Sequence, residues 1–298
     1  MKDIITIIIR LTVSCLLAAT VIGVTFIFTS NAKKHNEHAK EQQVILELLG
    51  YRGDVTVPDS ISMHEIYRYI ISGQDSQSIG YLVPAGHGED GGFFFVNIDL
   101  NGKLIESKIV DMSEVDSRET EIRDTVMAEA AGPGHVVDFA DQTIVVTESG
   151  SRIAYLLGGK FQGFKTFINV MLAVDPGFSM VGLEILEHEE DPGLGAEIEQ
   201  DYFKNQFKGK PFEVLKTIDV VKKPIPAEYL DALNSRLSDE DILEIRNRYR
   251  DQDIYALTGA TISSKAVSNG VKNIVKKFAY RVTILDNVLQ EQQLAVSF

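Results

Sequence analysis

The sequence predicts an α+β fold: a twisted, mostly antiparallel sheet packed with helices, together with one N-terminal transmembrane helix. Three observations predict it. The chain opens with a long apolar run, two similar blocks of strand patterning fill its middle, and an amphipathic segment with helical spacing lies near its end. Strand runs bounded by turn residues favour antiparallel hairpins. A helix with one apolar face needs another layer to cover that face.

The apolar run extends over residues 4–28, and Arg10 is its only charged residue. The 18 uncharged residues 11–28 would rise roughly 27 Å as a helix, close to the thickness of the hydrocarbon core of a bilayer. We therefore predict an uncleaved anchor. A cleaved signal peptide is the alternative, although its apolar region is usually shorter. Lysines on both sides of the run leave its orientation undecided by charge.

The chain after the anchor divides into a linker and one main domain. Residues 32–49 have helical character up to Gly50, and a short second helix is predicted around residues 64–71. The predicted organisation is a transmembrane anchor over residues 1–31, a helical linker over residues 32–75, a main domain over residues 76–282 and a C-terminal tail over residues 283–298.

Two strand blocks in this part of the chain, residues 81–110 and 155–186, resemble each other. Each has a Tyr-Leu strand, a glycine-rich loop, an apolar strand, an aspartate before a turn, and a further strand. Asp99 aligns with Asp175, and the turns that follow are Asn-Gly and Pro-Gly, which are good hairpin signals. We interpret the blocks as a duplicated sheet unit. The alternative is that any two β-hairpins look this similar.

The remaining segments are mostly helical in pattern. The predicted elements are a charged helix over residues 115–131, a strand over 136–147, a helix over 196–209, a strand over 214–221, two short helices within 227–249 and an amphipathic helix over 263–280. The charged helices are expected to be solvated faces or docking faces for other subunits.

Composition excludes several classes of function. The formal net charge is −14 and there is no long basic stretch, so the surface repels phosphates and nucleic acid is excluded as a partner. Cys15 is the only cysteine, which excludes an internal disulfide, a cysteine-rich zinc site and an iron–sulfur cluster. Redox chemistry would therefore need a bound organic cofactor or a histidine-based metal.

Residues 188–191, His-Glu-Glu-Asp, are the segment that most resembles a metal site. Neighbours in sequence point in different directions, and no His-x-x-x-His spacing accompanies them, so no metal ligands are predicted. The sequence also contains no visible nucleophile triad or general base, and no catalytic residues are predicted.

The stretch with the clearest chemistry is residues 253–264, Asp-Ile-Tyr-Ala-Leu-Thr-Gly-Ala-Thr-Ile-Ser-Ser, which precedes the last helix. Helix N-termini present unpaired N–H groups, which suit a phosphate. Gly259 allows close approach of the backbone, and Ala260 adds little bulk. Hydroxyl groups are concentrated here, at Thr258, Thr261, Ser263 and Ser264. The residues alone predict an anion-binding turn, and a cap cluster without a ligand is the alternative.

This Thr-Gly-Ala-Thr segment resembles the flavinylation motif of the FMN-binding domain family. Residues 183–210 resemble the second signature of that family: they contain Glu-His-Glu-Glu-Asp-Pro-Gly-Leu-Gly and end in Phe-Lys-Asn-Gln-Phe-Lys-Gly-Lys. The two signatures stand in the expected order, about 60 residues apart. The resemblance covers residues 150–280 well and residues 50–150 only loosely. With the anchor added, the chain looks like the family of G subunits found in Rnf electron-transport complexes.

The resemblance implies FMN attached covalently, as a phosphoester on Thr261, by a flavin transferase that uses FAD as donor. It further implies a single-pass protein of the bacterial inner membrane, whose C-terminal domain lies on the extracytoplasmic side. Its partners would be other subunits of the Rnf-type complex, an ion-translocating oxidoreductase, within which it would transfer electrons without turnover of its own. The alternatives are the homologous C subunit of the sodium-translocating NADH:quinone reductase, a membrane-tethered sensor or adaptor that binds FMN non-covalently, and a flavin-linked reductase.

The resemblance also implies a set of cofactor-binding residues besides Thr261: Thr258, Gly259, Ala260, Ser263 and Ser264 at the helix start, and Glu190, Gly193, Leu194 and Gly195 in a tight loop. Two positions depart from the family pattern. Tyr255 stands where many relatives have aspartate, with Asp253 as a possible substitute, and Asp191 stands where relatives usually have threonine.

Overall fold

The computed structural model describes residues 2–51, 58, 60–74, 76–86 and 92–298. The chain forms two compact units, Met1–Glu47 and Leu48–Phe298. Nearly all of the first unit belongs to one helix, α1 (Lys2–Leu48). Within the described residues, no helix combines the length and the apolar character that crossing a membrane requires. The structure therefore gives the predicted transmembrane anchor no support.

The second unit is built on one large sheet, as predicted. Eight strands of the described chain form it in the order β4-β3-β2-β1-β5-β6-β7-β8, and neighbouring strands are antiparallel. The strands are β1 (Ile61–Ser72), β2 (Gln77–Pro84), β3 (Phe93–Asp99), β4 (Leu104–Val110), β5 (Val136–Glu148), β6 (Ser151–Gln162), β7 (Phe167–Val174) and β8 (Met180–Glu187). A separate parallel pair consists of β9 (Val220–Val221) and β10 (Ile254–Tyr255).

The sheet consists of two four-stranded meanders that meet where β1 pairs with β5. The two similar blocks supply β2 to β4 and β6 to β8. Their aspartate turns are alike in detail: the Oδ1 atoms of Asp99 and Asp175 each accept the N–H four residues later, at 2.8 Å in both cases. Gly102 and Phe178, each three residues after the aspartate, both have positive φ, 86° and 63°. This shared turn supports the prediction of a duplicated unit.

The predicted helix around residues 64–71 is wrong, because these residues form β1 at the centre of the sheet. The segment is rich in isoleucine and tyrosine, which suit a strand buried on both faces. Ile66 faces one core, while Tyr67 and Tyr69 face the other. Pairing with β2 and β5 thus outweighs the local helical pattern. The domain boundaries proposed from the sequence remain a prediction, although this central strand precedes residue 76.

Two long helices cover opposite faces of the sheet. Helix α8 (Thr261–Glu291) packs on the larger core, and helix α3 (Thr120–Ala131), which follows the short α2 (Glu114–Arg118), places Met127 in the other core. The charged segment 115–131 is therefore helical, as predicted. Helix α8 is longer than predicted, because its buried stripe continues through Leu285 and Leu289. The predicted C-terminal tail consequently begins inside a helix.

Short helices connect β8 to α8. They are a 3₁₀ helix (Gly195–Glu199), α4 (Asp201–Lys204), α5 (Phe212–Leu215), α6 (Ala227–Leu233) and α7 (Asp239–Tyr249). The two helices predicted within residues 227–249 are thus present as α6 and α7. The strand predicted over residues 214–221 is mostly wrong, since only the last two residues are extended.

Helix α8 approaches strand β6 closely because two glycines lie between them. A Cβ atom at Gly270 would lie 2.2 Å from Cδ1 of Phe161, and one at Gly159 would lie 2.2 Å from Cδ1 of Ile274. The ring of Phe161 therefore occupies the space that a side chain at Gly270 would need. This contact fixes the position of α8 on the sheet.

We expect Gly270→Ala to lower the free energy of unfolding by about 1–2 kcal/mol. Displacing the Phe161 ring from a packed site costs about 1–3 kcal/mol, while the better helix propensity of alanine returns up to about 1 kcal/mol. Denaturant unfolding followed by circular dichroism measures the change. Asn269→Ala is the matched control, because Asn269 is exposed on the same helix and its replacement should cause no loss. Equal stability of the two variants would contradict the close approach.

Candidate functional site

The candidate site lies at the start of α8, where Thr261 is the first helical residue. Its N-cap is Ala260, and no described side chain caps the helix. Thr258 and Gly259 are exposed, Ala260 is buried and Thr261 is half-buried. The N–H groups of the first helical turn therefore remain available at a surface that also presents the hydroxyl of Thr261.

The two serines of the motif, Ser263 and Ser264, form hydrogen bonds inside the protein. The buried hydroxyl of Ser264 accepts the N–H of Leu257 at 3.0 Å and donates to the carbonyl of Ala260 at 2.9 Å. It thereby closes the turn that contains the Thr-Gly-Ala-Thr motif. Ser263 is also buried and donates its hydroxyl hydrogen to Oε2 of Glu190. Both hydroxyls thus fix the shape of the turn around Thr261.

Glu190 connects three segments that are distant in sequence. The residue is only 4% exposed. Its Oε1 atom accepts the backbone N–H groups of Phe164 at 2.7 Å and Lys165 at 3.1 Å, in the loop between β6 and β7. Its Oε2 atom accepts the Ser263 hydroxyl at the start of α8. One carboxylate therefore joins the hairpin loop, the segment after β8 and the last helix.

Glycines surround this carboxylate because side chains would collide with it. A Cβ atom at Gly195 would lie 2.7 Å from Oε2 of Glu190, and one at Gly163 would lie 2.5 Å from Oε1. Gly259, with φ of +77°, approaches the neighbouring loop, where its Cβ would lie 2.9 Å from Cδ2 of Leu194. The glycines of the two signatures thus allow their backbones to meet at one place.

The predicted tight loop between β8 and the 3₁₀ helix is present. The carbonyl of Asp191 accepts the N–H groups of Leu194 at 3.1 Å and Ala196 at 3.0 Å, and Gly193 has φ of +73°. The side chain of Asp191 forms an ion pair with Lys165. The loop is thereby tied a second time to the hairpin between β6 and β7.

Exposed apolar side chains lie in the segments that meet at this site. Leu194 is 46% exposed, Phe164 is 55% exposed and Ile262 is 59% exposed. They belong to the tight loop, the hairpin loop and the first turn of α8, respectively. These side chains and the uncapped helix N-terminus together form a surface. It suits a ligand that has both a flat apolar part and an anionic part.

The second signature supports the motif through Gln206, whose role the sequence did not predict. Gln206 is buried, and its amide binds the backbone of Tyr255 in both directions: Oε1 accepts the N–H at 2.8 Å, and Nε2 donates to the carbonyl at 3.2 Å. This clamp fixes the strand that leads into the Thr-Gly-Ala-Thr turn. Its position in the recurring Phe-x-x-Gln-Phe signature is the signal that could have identified it.

Lys210 at the end of the same signature holds the preceding segment. It is almost fully buried, and its Nζ atom donates to the carbonyls of Tyr249 at 3.3 Å, of Arg250 at 3.0 Å and of Gln252. Burial lowers the pKa of Lys210 to about 8, against the opposing effect of nearby Asp253 and Asp251. The lysine thus satisfies carbonyls at the end of α7, close to the start of β10.

Tyr255, one of the two departures from the family pattern, and Asp253, its possible substitute, both have structural roles here. Tyr255 is buried, donates its hydroxyl hydrogen to Gln252 at 3.0 Å and packs edge-on against Tyr229 and Tyr249. Asp253 accepts the N–H of Asp219 at 2.9 Å through Oδ1, which fixes the chain before β9. The position usually held by aspartate is therefore part of a tyrosine cluster in this protein.

His188 contributes to the shape of the loop. Its Nδ1 atom accepts the N–H of Glu190 at 3.0 Å, so in the neutral ring the hydrogen is on Nε2, which lies 2.9 Å from Oε1 of Glu199. In the part of the chain that the structure describes, no group of three or more histidine, cysteine, aspartate or glutamate residues has a geometry that could hold a metal.

Comparison with known proteins agrees with this description. Residues 163–276 match the model of the FMN-binding domain family, which confirms the resemblance based on the two signatures. Over 130 residues the chain is 29% identical to the G subunit of the proton-translocating ferredoxin:NAD(+) oxidoreductase complex of Clostridium ljungdahlii. That alignment covers 44% of this chain and only 56% of the relative.

Two solved structures are also similar. NqrC of Shewanella oneidensis is 15% identical, with a TM-score of 0.39, and the alignment covers 78% of this chain and 89% of that chain. The C subunit of the Na(+)-translocating NADH-quinone reductase of Parabacteroides distasonis is 21% identical, with a TM-score of 0.35 and coverage of 66% and 77%, respectively.

We expect Glu190→Ala to lower the free energy of unfolding by about 2–4 kcal/mol. Two N–H groups and one hydroxyl would lose their buried acceptor, and each such loss costs about 1–3 kcal/mol, partly relieved by relaxation. Urea unfolding provides the measurement. Glu189→Ala is the matched control, because Glu189 is exposed and its removal should change stability by less than about 0.5 kcal/mol. If the two variants were equally stable, the carboxylate of Glu190 would not hold the hairpin loop, the segment after β8 and the last helix together.

Proposed function

We propose that this chain carries FMN as a phosphoester on Thr261 and transfers electrons as a subunit of an Rnf-type, ion-translocating membrane complex. The match of residues 163–276 to the FMN-binding domain family supports FMN as the cofactor. The observation that carries the covalent attachment is the position of Thr261. It is the first residue of an uncapped helix, at the meeting point of the two signatures.

The helix start suits a phosphate on electrostatic grounds. Helix α8 has 31 residues, and its first turn contains no acidic side chain. The partial positive charge of the N-terminus and its unpaired N–H groups stabilise a bound anion. A phosphodiester on the Thr261 hydroxyl retains one negative charge, which these groups can offset.

The surrounding residues hold the hydroxyl of Thr261 at an accessible position, where it can be modified. Ser264 and Glu190 hold the turn from inside, so Thr261 stays accessible to a flavin transferase. In that transfer a bond forms between Oγ1 of Thr261 and the flavin phosphorus, the phosphoanhydride bond of FAD breaks, AMP leaves, and the proton of the hydroxyl passes to solvent. The isoalloxazine ring is not altered by this chemistry.

The exposed apolar residues give the flavin ring a place to lie. Leu194, Phe164 and Ile262 can contact a flat ring and keep it at the surface, where a redox partner can approach. Bound there, FMN would supply one- and two-electron transfer, while the protein sets its position and surroundings. No general base is needed for this task, so we expect no independent turnover of a substrate.

Membership of a complex is inferred from the relative in Clostridium ljungdahlii, which belongs to a proton-translocating oxidoreductase complex. We infer that this chain occupies the corresponding place, with other subunits of an Rnf-type complex as partners. The apolar run of residues 11–28 leads us to propose membrane attachment, with the flavin domain on the extracytoplasmic side of the bacterial inner membrane. The C subunit of the sodium-translocating NADH:quinone reductase remains the alternative assignment.

Co-expression with a flavin transferase should increase the intact mass of the chain by about 438 Da, the mass of FMN less water. The denatured band should fluoresce in a gel. Thr261→Ala should abolish both signals, because the esterified hydroxyl is absent. Thr258→Ala is the matched control, since it removes an exposed hydroxyl of the same motif, and it should retain most of the flavin.

Three results would contradict the proposal in different ways. Flavin released on denaturation would indicate a non-covalent sensor or adaptor. Fluorescence retained in Thr261→Ala would place the bond on another residue. Steady oxidation of NADH by the isolated chain would indicate a reductase with its own substrate.

A further inference from the structure

A cavity of about 780 Å³ lies between the sheet and the later turns of α8. Gly270, the first residue of α8 on its wall, is nine positions after Thr261, which corresponds to roughly 13 Å along a helix. Thr261, Glu190 and Leu194 do not line it. The cavity is therefore separate from the proposed flavin site, and its volume falls within the range of small-molecule sites, roughly 300–1,000 Å³.

The cavity exists for two reasons. Several wall positions are glycines, and the hydrogen-bonded pairing of two strands in the wall is interrupted. Gly158, Gly159 and Gly270 all line it. A Cβ atom at Gly159 would point toward α8 and lie 2.2 Å from Cδ1 of Ile274, so the wall lacks a side chain at this position. On the opposite side, the pairing of β1 with β5 shifts register after Arg68, and Ala140 is the extra residue. The space is thus built by the backbone of two strands.

A network of two guanidinium groups and one carboxylate lies in the wall. Arg68 donates to Asp141 through Nε at 3.0 Å and Nη2 at 2.5 Å, and Arg281 donates to the same carboxylate through Nη1 at 2.9 Å. Burial raises the pKa of Asp141, but the hydrogen bonds and charges of the two arginines outweigh it and lower the pKa below its ordinary value. Two cations thus share one anion, which leaves one positive charge uncompensated.

The charge of the wall is opposite in sign to that of the whole chain. The cationic side chains of the wall are those of Arg68, Lys277 and Arg281, and the anionic ones are those of Asp99 and Asp141, whereas the formal net charge of the chain is −14. The side-chain amine of Lys277 has no hydrogen-bond or ion-pair partner within the described chain. The side-chain amine of Lys160 lies 4.8 Å above the ring of Phe167, on the face of the sheet opposite α8. The wall therefore attracts anions on a surface that otherwise repels them.

The rest of the wall is mainly apolar. It includes Ile79, Ile98, Phe161, Ile274 and Ile284. An inorganic anion would leave this apolar surface uncovered, and a neutral apolar molecule would leave the cations unpaired. The combination favours a molecule with an apolar body and one anionic group.

We propose that this cavity binds a small carboxylate carried on an apolar body of aromatic size, with the carboxylate at the Arg68–Arg281–Lys277 side and the body against Phe161 and the isoleucines. Planar guanidinium groups match the geometry of a carboxylate. The site does not depend on the flavin proposal, because none of its residues belongs to the region around Thr261.

Isothermal titration calorimetry of the full chain with 2-naphthoate tests the proposal. We expect saturable binding of one molecule per chain, with affinity about tenfold weaker for the neutral analogue 2-naphthylmethanol, because a charge-assisted hydrogen bond is lost. Lys277→Gln should weaken 2-naphthoate binding about tenfold for the same reason. Lys265→Gln is the matched control, since Lys265 is exposed on the same helix but does not line the cavity, and it should bind within about twofold of the unmodified chain.

Asn273→Phe tests the position of the site. Asn273 is exposed on α8 and lines the cavity, so the variant should fold, as checked by circular dichroism, and should bind 2-naphthoate more weakly because the ring occupies part of the cavity. Flavin attachment at Thr261 should be unchanged in this variant, which separates the two proposals. Absence of saturable 2-naphthoate binding, or binding that both Lys277→Gln and a folded Asn273→Phe leave unchanged, would overturn the inference.

Discussion

The carboxylate of Glu190 is the interaction on which the candidate site depends. A charge buried this deeply costs several kcal/mol unless hydrogen bonds compensate it. Here the compensation comes from two backbone N–H groups near residue 164 and from the Ser263 hydroxyl. These donors lie on different segments, so satisfying one carboxylate forces the hairpin loop, the tight loop and the start of α8 together. The position of Thr261 follows from that requirement.

The order of the two signatures in the chain also has a physical explanation. The second signature, residues 183–210, comes earlier in the chain: it leaves strand β8, supplies Glu190 and the tight loop, and then provides Gln206 and Lys210, which hold the chain that enters the Thr-Gly-Ala-Thr turn. The eight-stranded sheet acts as the platform, because β6, β7 and β8 deliver two of the three segments. Each signature therefore completes the other.

Local patterns were sufficient for seven of the eight strands of the sheet, the hairpin turns at Asp99 and Asp175, and the existence of the last helix, because turn chemistry and apolar periodicity are local properties. They failed for residues 64–71, because pairing with two other strands determines the structure there. The sequence of the segment itself does not indicate that pairing. The clamp of Gln206 on Tyr255 joins residues 49 positions apart, so only the folded chain reveals it. The end of α8 at Glu291 was missed because the buried stripe continues beyond the segment that looked most periodic.

The central claim is that a helix start fixed by Glu190 presents Thr261 for esterification by a flavin phosphate. Tandem mass spectrometry of the peptide covering residues 253–265, taken from protein matured in its native host, tests it most directly. We expect a peptide about 438 Da heavier than its amino acids, with fragment ions that assign the added mass to Thr261. A peptide of unmodified mass, or one with the flavin on another residue, would contradict it.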